Sequence, residues 1–215
     1  MRGVTNDVRI PLPDGTYLEA GLEGPEDGPL IIFAHGSGSS RHSPRNQRVA
    51  GILNDHGLRT LLLDLLTQEE EQRDLVTAKH RFDIELLGDR VGYAVDWAVD
   101  ELKPPAVGLF GASTGAAAAL VAAASRPVAI GAVVSRGGRP DLAGNALTEV
   151  RAPTLLIVGG RDTTVLELNR SALDDLGTGH ELEIVAGATH LFEEPGALDE
   201  VAELASDWFR FHLAE

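Results

Sequence analysis

Cysteine is absent from the 215 residues. This excludes disulfides, thiolate zinc sites and any thiol nucleophile. Lysine is nearly absent as well: Lys79 and Lys103 are the only two among 18 basic residues, and the rest are arginines. Aromatic residues make up 5%, which argues against a broad greasy pocket. Long apolar runs are missing too. The longest, Ala116 to Ala124, falls far short of the roughly 20 residues that cross a bilayer, and Ser125-Arg126-Pro127 ends it. The first residues, Met1-Arg2-Gly3-Val4-Thr5-Asn6-Asp7, have no apolar stretch behind their charge. The sequence therefore predicts no signal peptide and a cytoplasmic location.

Positive charge is in deficit. With 33 acidic and 18 basic residues the formal net charge is −15, and the sequence pI is about 4.8. Such a surface repels nucleic-acid phosphates and anionic head groups, so neither nucleic acid nor membrane is an expected partner. No metal-ligand cluster, nicotinamide fingerprint or haem motif is visible, so no metal and no cofactor is expected. Nothing marks an oligomeric state.

What is present suits a soluble globular protein: 43% hydrophobic and 24% charged residues, at a length that buries a sizeable core. No linker and no repeat divides the chain, so residues 1–215 read as a single domain. Val8–Pro11 and Tyr17–Glu23 flank the turn Pro13-Asp14-Gly15 and predict an antiparallel hairpin. Apolar runs at Leu30–Ala34, Arg59–Asp64, Ala106–Phe110, Ile130–Ser135, Thr154–Val158 and Glu181–Val185 predict buried strands. Helical patterning falls at Pro44–His56, Phe82–Leu102, Thr114–Ser125, Val165–Leu176 and Ala197–Leu213. The expected class is α/β, a mostly parallel sheet of eight strands with an antiparallel start and helices on both faces. Thr67–Arg81 reads as a solvated acidic loop, with a lid as the alternative.

The strongest chemical signal is Gly111-Ala112-Ser113-Thr114-Gly115, between a strand and an alanine-rich helix. G-x-S-x-G at such a junction is a nucleophile elbow, in which a sharp turn lifts the serine hydroxyl off the sheet at a helix N-terminus. Ser113 is therefore the expected nucleophile. The backbone N–H of Thr114 is an expected oxyanion donor.

The order of His35-Gly36-Ser37-Gly38 after a strand, then GASTG, then Asp162, then His190 resembles the α/β-hydrolase superfamily. More closely, it is similar to the small dienelactone-hydrolase-like branch, and the resemblance covers about Val8 to Leu213. It implies the α/β-hydrolase fold with no large cap domain, because the span from Ser135 to Thr154 is short. It implies His190, in Gly187-Ala188-Thr189-His190 after the last strand, as the base. His35, His42, His56, His80, His180 and His212 lack that position. The resemblance also implies Asp162, after the strand TLLIV, as the orienting acid, with Asp141 the alternative. It implies the N–H of Ser37 as the second oxyanion donor.

Dienelactone hydrolases proper use a cysteine nucleophile. With Ser113 at the elbow, the expectation is a serine hydrolase, foremost a carboxylesterase on small or soluble esters. A thioesterase, peptidase, acyltransferase or perhydrolase keeps the same triad, and a non-catalytic binding protein is the alternative from another class. Arg136 and Arg139 follow a central strand. They read as surface ion pairs with acids such as Asp141, or as ligands for a substrate carboxylate.

Overall fold

The structure is a computed structural model that describes residues 6–177 and 179–214. The first five residues, read above for a leader, lie outside it. β1 (Asn6–Pro11) and β2 (Tyr17–Glu23) form the antiparallel hairpin. Asp14 closes its turn by accepting the Thr16 N–H at 2.9 Å, beside Gly15 at φ +85°. Six strands follow: β3 (Leu30–Ala34), β4 (Arg59–Leu63), β5 (Val107–Ala112), β6 (Ala132–Arg136), β7 (Thr154–Gly159) and β8 (Glu181–Val185). All eight join one sheet in the order β1-β2-β4-β3-β5-β6-β7-β8. β2 meets β4 antiparallel, and every pairing from β4 to β8 is parallel.

Parallel strands covered on both faces need apolar residues at every position, as β3 and β5 have throughout. Ile31, Phe33 and Phe110 face one side, where α1 (Pro44–Asp55) and α6 (Ala197–His212) pack. Leu30, Ile32 and Leu109 face the other, where α3 (Ile84–Trp97), α4 (Thr114–Ser125) and α5 (Thr163–Leu176) lie. Small residues set the spacing there. A Cβ on Gly88 of α3 would come within 2.5 Å of the Val121 side chain of α4. α3 runs on into a π-turn at Ala98–Leu102, and a kinked 3-10 segment, Pro140–Glu149, connects β6 to β7. This is the α/β-hydrolase fold with no large cap.

One expectation fails. The loop read at Thr67–Arg81 contains a helix, α2 (Gln68–Thr77). Its start is a capping box: Thr67 Oγ1 accepts the Glu70 N–H and Glu70 accepts the Thr67 N–H. That T-x-x-E signal is present in the sequence, but no apolar stripe accompanies it, and Leu75 and Val76 are exposed. Polar anchors hold the helix instead. Glu70 pairs with the buried Arg90 at 2.7 Å, and buried Asp74 pairs with Arg81 at 2.6 Å. No helix among the described residues is long and apolar enough to cross a membrane.

Candidate active site

β5 runs into α4 through Ser113, which has φ +52° and ψ −122°. A non-glycine residue in that region costs on the order of 1–3 kcal/mol and persists only where its surroundings over-determine it. Here they do. The Ser113 N–H donates to the Arg136 carbonyl at 3.2 Å, and the Ser113 carbonyl accepts from Ala116 and Arg139, both at 3.1 Å. Both motif glycines are sterically required. A Cβ on Gly111 would lie 2.4 Å from the Ala116 Cα, and one on Gly115 would lie 2.3 Å from the Ala34 carbonyl oxygen.

The loop after β8 brings His190 to the turn after β7, where Nδ1 lies 2.7 Å from Oδ2 of Asp162. Backbone pairing makes the meeting possible. Gly160 N–H donates to Val185 and Arg161 N–H to Ala188, both at 2.9 Å. The approach is so close that a Cβ on Gly159 would reach 2.5 Å from the Ala188 carbonyl oxygen. A carboxylate only accepts, so Asp162 holds the proton on Nδ1 and leaves Nε2 as the basic nitrogen. Asp141, the alternative acid, is taken by Arg139, which donates to both its oxygens at 2.8 and 2.7 Å. Glu194 was not foreseen. Its carboxylate accepts the Thr189 N–H at 3.1 Å, and that bond holds its carboxyl below the ordinary value.

Ser113 makes no side-chain bond at the start of α4. The contact from its hydroxyl to His190 is not formed in this conformation. Such contacts often tighten only when substrate binds.

The loop after β3 lies against Ser113: a Cβ on Gly36 would stand 3.0 Å from the Ser113 Cβ and 3.7 Å from its Oγ. His35 anchors this loop. The Leu65 N–H can only donate, so His35 Nε2 accepts it at 3.1 Å and Nδ1 donates to the Gly36 carbonyl at 2.9 Å. The ring is therefore neutral, and burial lowers its pKa below the ordinary 6.5. The Ser37 N–H, the expected second oxyanion donor, points towards Thr114. It is engaged there: Thr114 Oγ1 accepts it at 2.8 Å.

The chain matches the Dienelactone hydrolase family over residues 32–212. It belongs to that family. A crystal structure of a dienelactone hydrolase from Anabaena variabilis is 52% identical and superposes with a TM-score of 0.95 over 99% of each chain. A Mycobacterium tuberculosis protein named "Putative phosphoribosyl transferase" is 58% identical over 187 residues. That match takes in 86% of this chain and 41% of the relative, so the chain spans about two fifths of the relative's length. Est1E from Butyrivibrio proteoclasticus shares the fold, with a TM-score of 0.81 at 18% identity over 98% of this chain and 100% of its own.

In this dienelactone hydrolase family member the two arginines of the β6 edge differ. Arg139 is the ion pair with Asp141. Arg136 is 7% exposed, and its Nε and Nη1 find no acceptor among the described residues. Its Nη2 reaches Asn46 at 3.4 Å, and its guanidinium lies 5.9 Å from the Phe192 ring centre. Burial, with Arg45 nearby, pushes its pKa down to about 10, so the charge stays on at neutral pH. A cavity of about 170 Å³ adjoins the loop after β3, lined by Ser37, Gly38, Leu65, Leu75 and Arg81. It reaches that loop without touching Ser113, and α2 forms its outer wall.

Proposed function

We propose that this hydrolase is a serine carboxylesterase that cleaves small or soluble acyl esters through an acyl-enzyme. The observation that carries the reading is the His190–Asp162 bond of 2.7 Å, formed beside an elbow that holds Ser113 at φ +52°. Serine hydroxyl is a poor nucleophile, and a carboxylate-oriented imidazole is what activates it.

Ser113 Oγ attacks the ester carbonyl carbon while its proton passes to His190 Nε2. The oxyanion develops at the N-terminus of α4, where the Thr114 N–H has no carbonyl four residues back to bond. His190 then protonates the departing alkoxide, leaving an acyl group on Ser113. Water, deprotonated by His190, attacks that acyl carbon and the acid leaves with Ser113 restored. Asp162 stabilises the imidazolium in both halves.

A thioesterase, peptidase, acyltransferase or perhydrolase would use the same steps on another bond or acceptor, and a substrate panel separates them. Phosphoribosyl transfer, the activity in the mycobacterial relative's name, has less support here. The match covers 41% of that relative, so its named activity has the remaining three fifths of its chain to rest on. Arg136, a buried positive charge directly behind the elbow with no carboxylate partner among the described residues, favours esters that carry an acidic group.

The deciding experiment is hydrolysis of p-nitrophenyl acetate and butyrate by the wild type beside Ser113→Ala. Loss of the nucleophile should lower the rate by about 10⁴-fold or more. Equal rates in the two proteins, with no other acyl bond cleaved, would sink the esterase reading in favour of a binding protein.

A further inference from the structure

The resting oxyanion site poses a difficulty for a two-amide hole. One of its amides, Ser37 N–H, already donates to Thr114 Oγ1 at 2.8 Å, across 77 residues of sequence. Thr114 is 5% exposed, so water does not compete freely for that bond. A hydroxyl that accepts one hydrogen still has its own to give. Among the described residues the Thr114 hydroxyl meets the Ser37 N–H and donates to no group. Thr114 is also the first residue of α4. A helical Cα–Cβ bond tilts towards the helix N-terminus, the end of α4 that Ser113 immediately precedes. The hydroxyl stands beside the same residue's free N–H.

We infer that the side-chain hydroxyl of Thr114 is the second oxyanion donor, and that the Ser37 N–H acts behind it as its anchor. This inference rests on the esterase reading above. One residue then supplies two donors, N–H and Oγ–H, held on a single rigid frame at the helix N-terminus. The Ser37 amide fixes the hydroxyl oxygen, so its hydrogen turns to the other side. An N–H bonded to that oxygen also polarises the O–H and makes it the stronger donor. As the carbonyl oxygen gains charge, the O–H bond to it becomes charge-assisted and shortens, with no hydrogen bond broken elsewhere. A Ser37 N–H donating directly would instead have to abandon its buried acceptor at the moment of reaction.

The test compares wild type, Thr114→Val and Thr114→Ser on p-nitrophenyl acetate, with Ser113→Ala alongside. Valine keeps the β-branched shape and the backbone N–H and removes only the hydroxyl; serine keeps the hydroxyl. Removing one oxyanion donor costs on the order of 10²–10³-fold in kcat. We expect a loss of that size for Thr114→Val with KM little changed, and near-wild-type turnover for Thr114→Ser. Phenylboronic acid, which forms a tetrahedral anion on an active serine, gives the second readout. In ¹⁵N-labelled wild type its binding should leave the Ser37 amide proton near its resting shift while the Thr114 amide proton moves downfield. A kcat for Thr114→Val within about tenfold of wild type, or equal losses in both variants, overturns the inference. So does a large downfield move of the Ser37 amide with boronate. If Ser113→Ala is as active as the wild type, the esterase reading itself has failed, and that outcome is distinct from all of these.

Discussion

The carbonyl oxygen of Ala34 lies where a side chain on Gly115 would have to go, with only 2.3 Å between it and an ideal Cβ. The His35 carbonyl is 2.4 Å from the same point, so the helix after Ser113 is seated directly on the strand end that launches the loop carrying Ser37. Backbone cannot yield as a flexible side chain does. Gly115→Ala should therefore lower stability by about 1–3 kcal/mol despite alanine's better helix propensity, and it should abolish ester turnover. Gly51→Ala is the control, because that helical glycine of α1 has nothing within 4 Å. It should be neutral or gain up to about 1 kcal/mol. Urea titrations of the two variants check the contrast, and equal midpoints would refute it.

His35 predicts a pH dependence of stability. Its folded pKa is depressed by burial, so the folded state binds the proton less readily than the unfolded chain does. The stabilisation is complete above about pH 6.5 and is lost as pH falls through that value towards the lower folded one. Protonation would also set a second donor against the Leu65 N–H, which Nε2 accepts at 3.1 Å. Denaturant midpoints from pH 7.5 to 5 should fall more steeply for wild type than for His35→Asn. Parallel curves would mean that other groups govern the acid limb.

Helix α2 depends on polar anchors because its apolar residues face solvent. Asp74 is 3% exposed and accepts the His80 N–H at 2.6 Å as well as the Arg81 guanidinium. Asp74→Ala leaves those donors without their acceptor. Limited proteolysis should then cut between residues 67 and 83 faster than in wild type, with the sheet core still protected. Unchanged cleavage would show that packing, and not this carboxylate, holds the helix.

Arg136 and Arg139 separate by experiment. Arg136 has no carboxylate partner among the described residues, so Arg136→Leu removes a desolvated charge without leaving a buried carboxylate unpaired, and the variant should fold. Its turnover of a succinate half-ester relative to a neutral butyrate ester should drop about tenfold, the worth of one hydrogen bond to a charged group. Arg139→Leu should leave that ratio alone, since Arg139 already serves Asp141. Should Arg136→Leu leave it alone too, the preference for acidic esters is wrong.

The hairpin, the buried strands and the elbow were legible in the sequence because each depends on neighbours in the chain. Turn residues at 13–15, unbroken apolar runs, and glycines two residues either side of Ser113 act over a few positions. The positions expected for His190 and Asp162 came from the resemblance to the α/β-hydrolase superfamily and not from their neighbours in the chain. Helix α2 escaped notice because periodicity detects an apolar stripe, and its anchors are ion pairs formed with Arg81 and Arg90.

Tertiary structure alone decided which side chains meet. Asp162 and Asp141 both follow sheet strands, and only the backbone pairing of Arg161 with Ala188 brings the former to His190 and leaves the latter to Arg139. The bond from Ser37 to Thr114 spans 77 residues and exists because β3 and β5 are neighbours in the sheet though far apart in the chain. Burial of Arg136 without a carboxylate likewise depends on what α1 and the His190 loop place around it. Short-range sterics are written in local sequence, whereas the pairing of distant polar groups waits on the order and register of the strands that carry them.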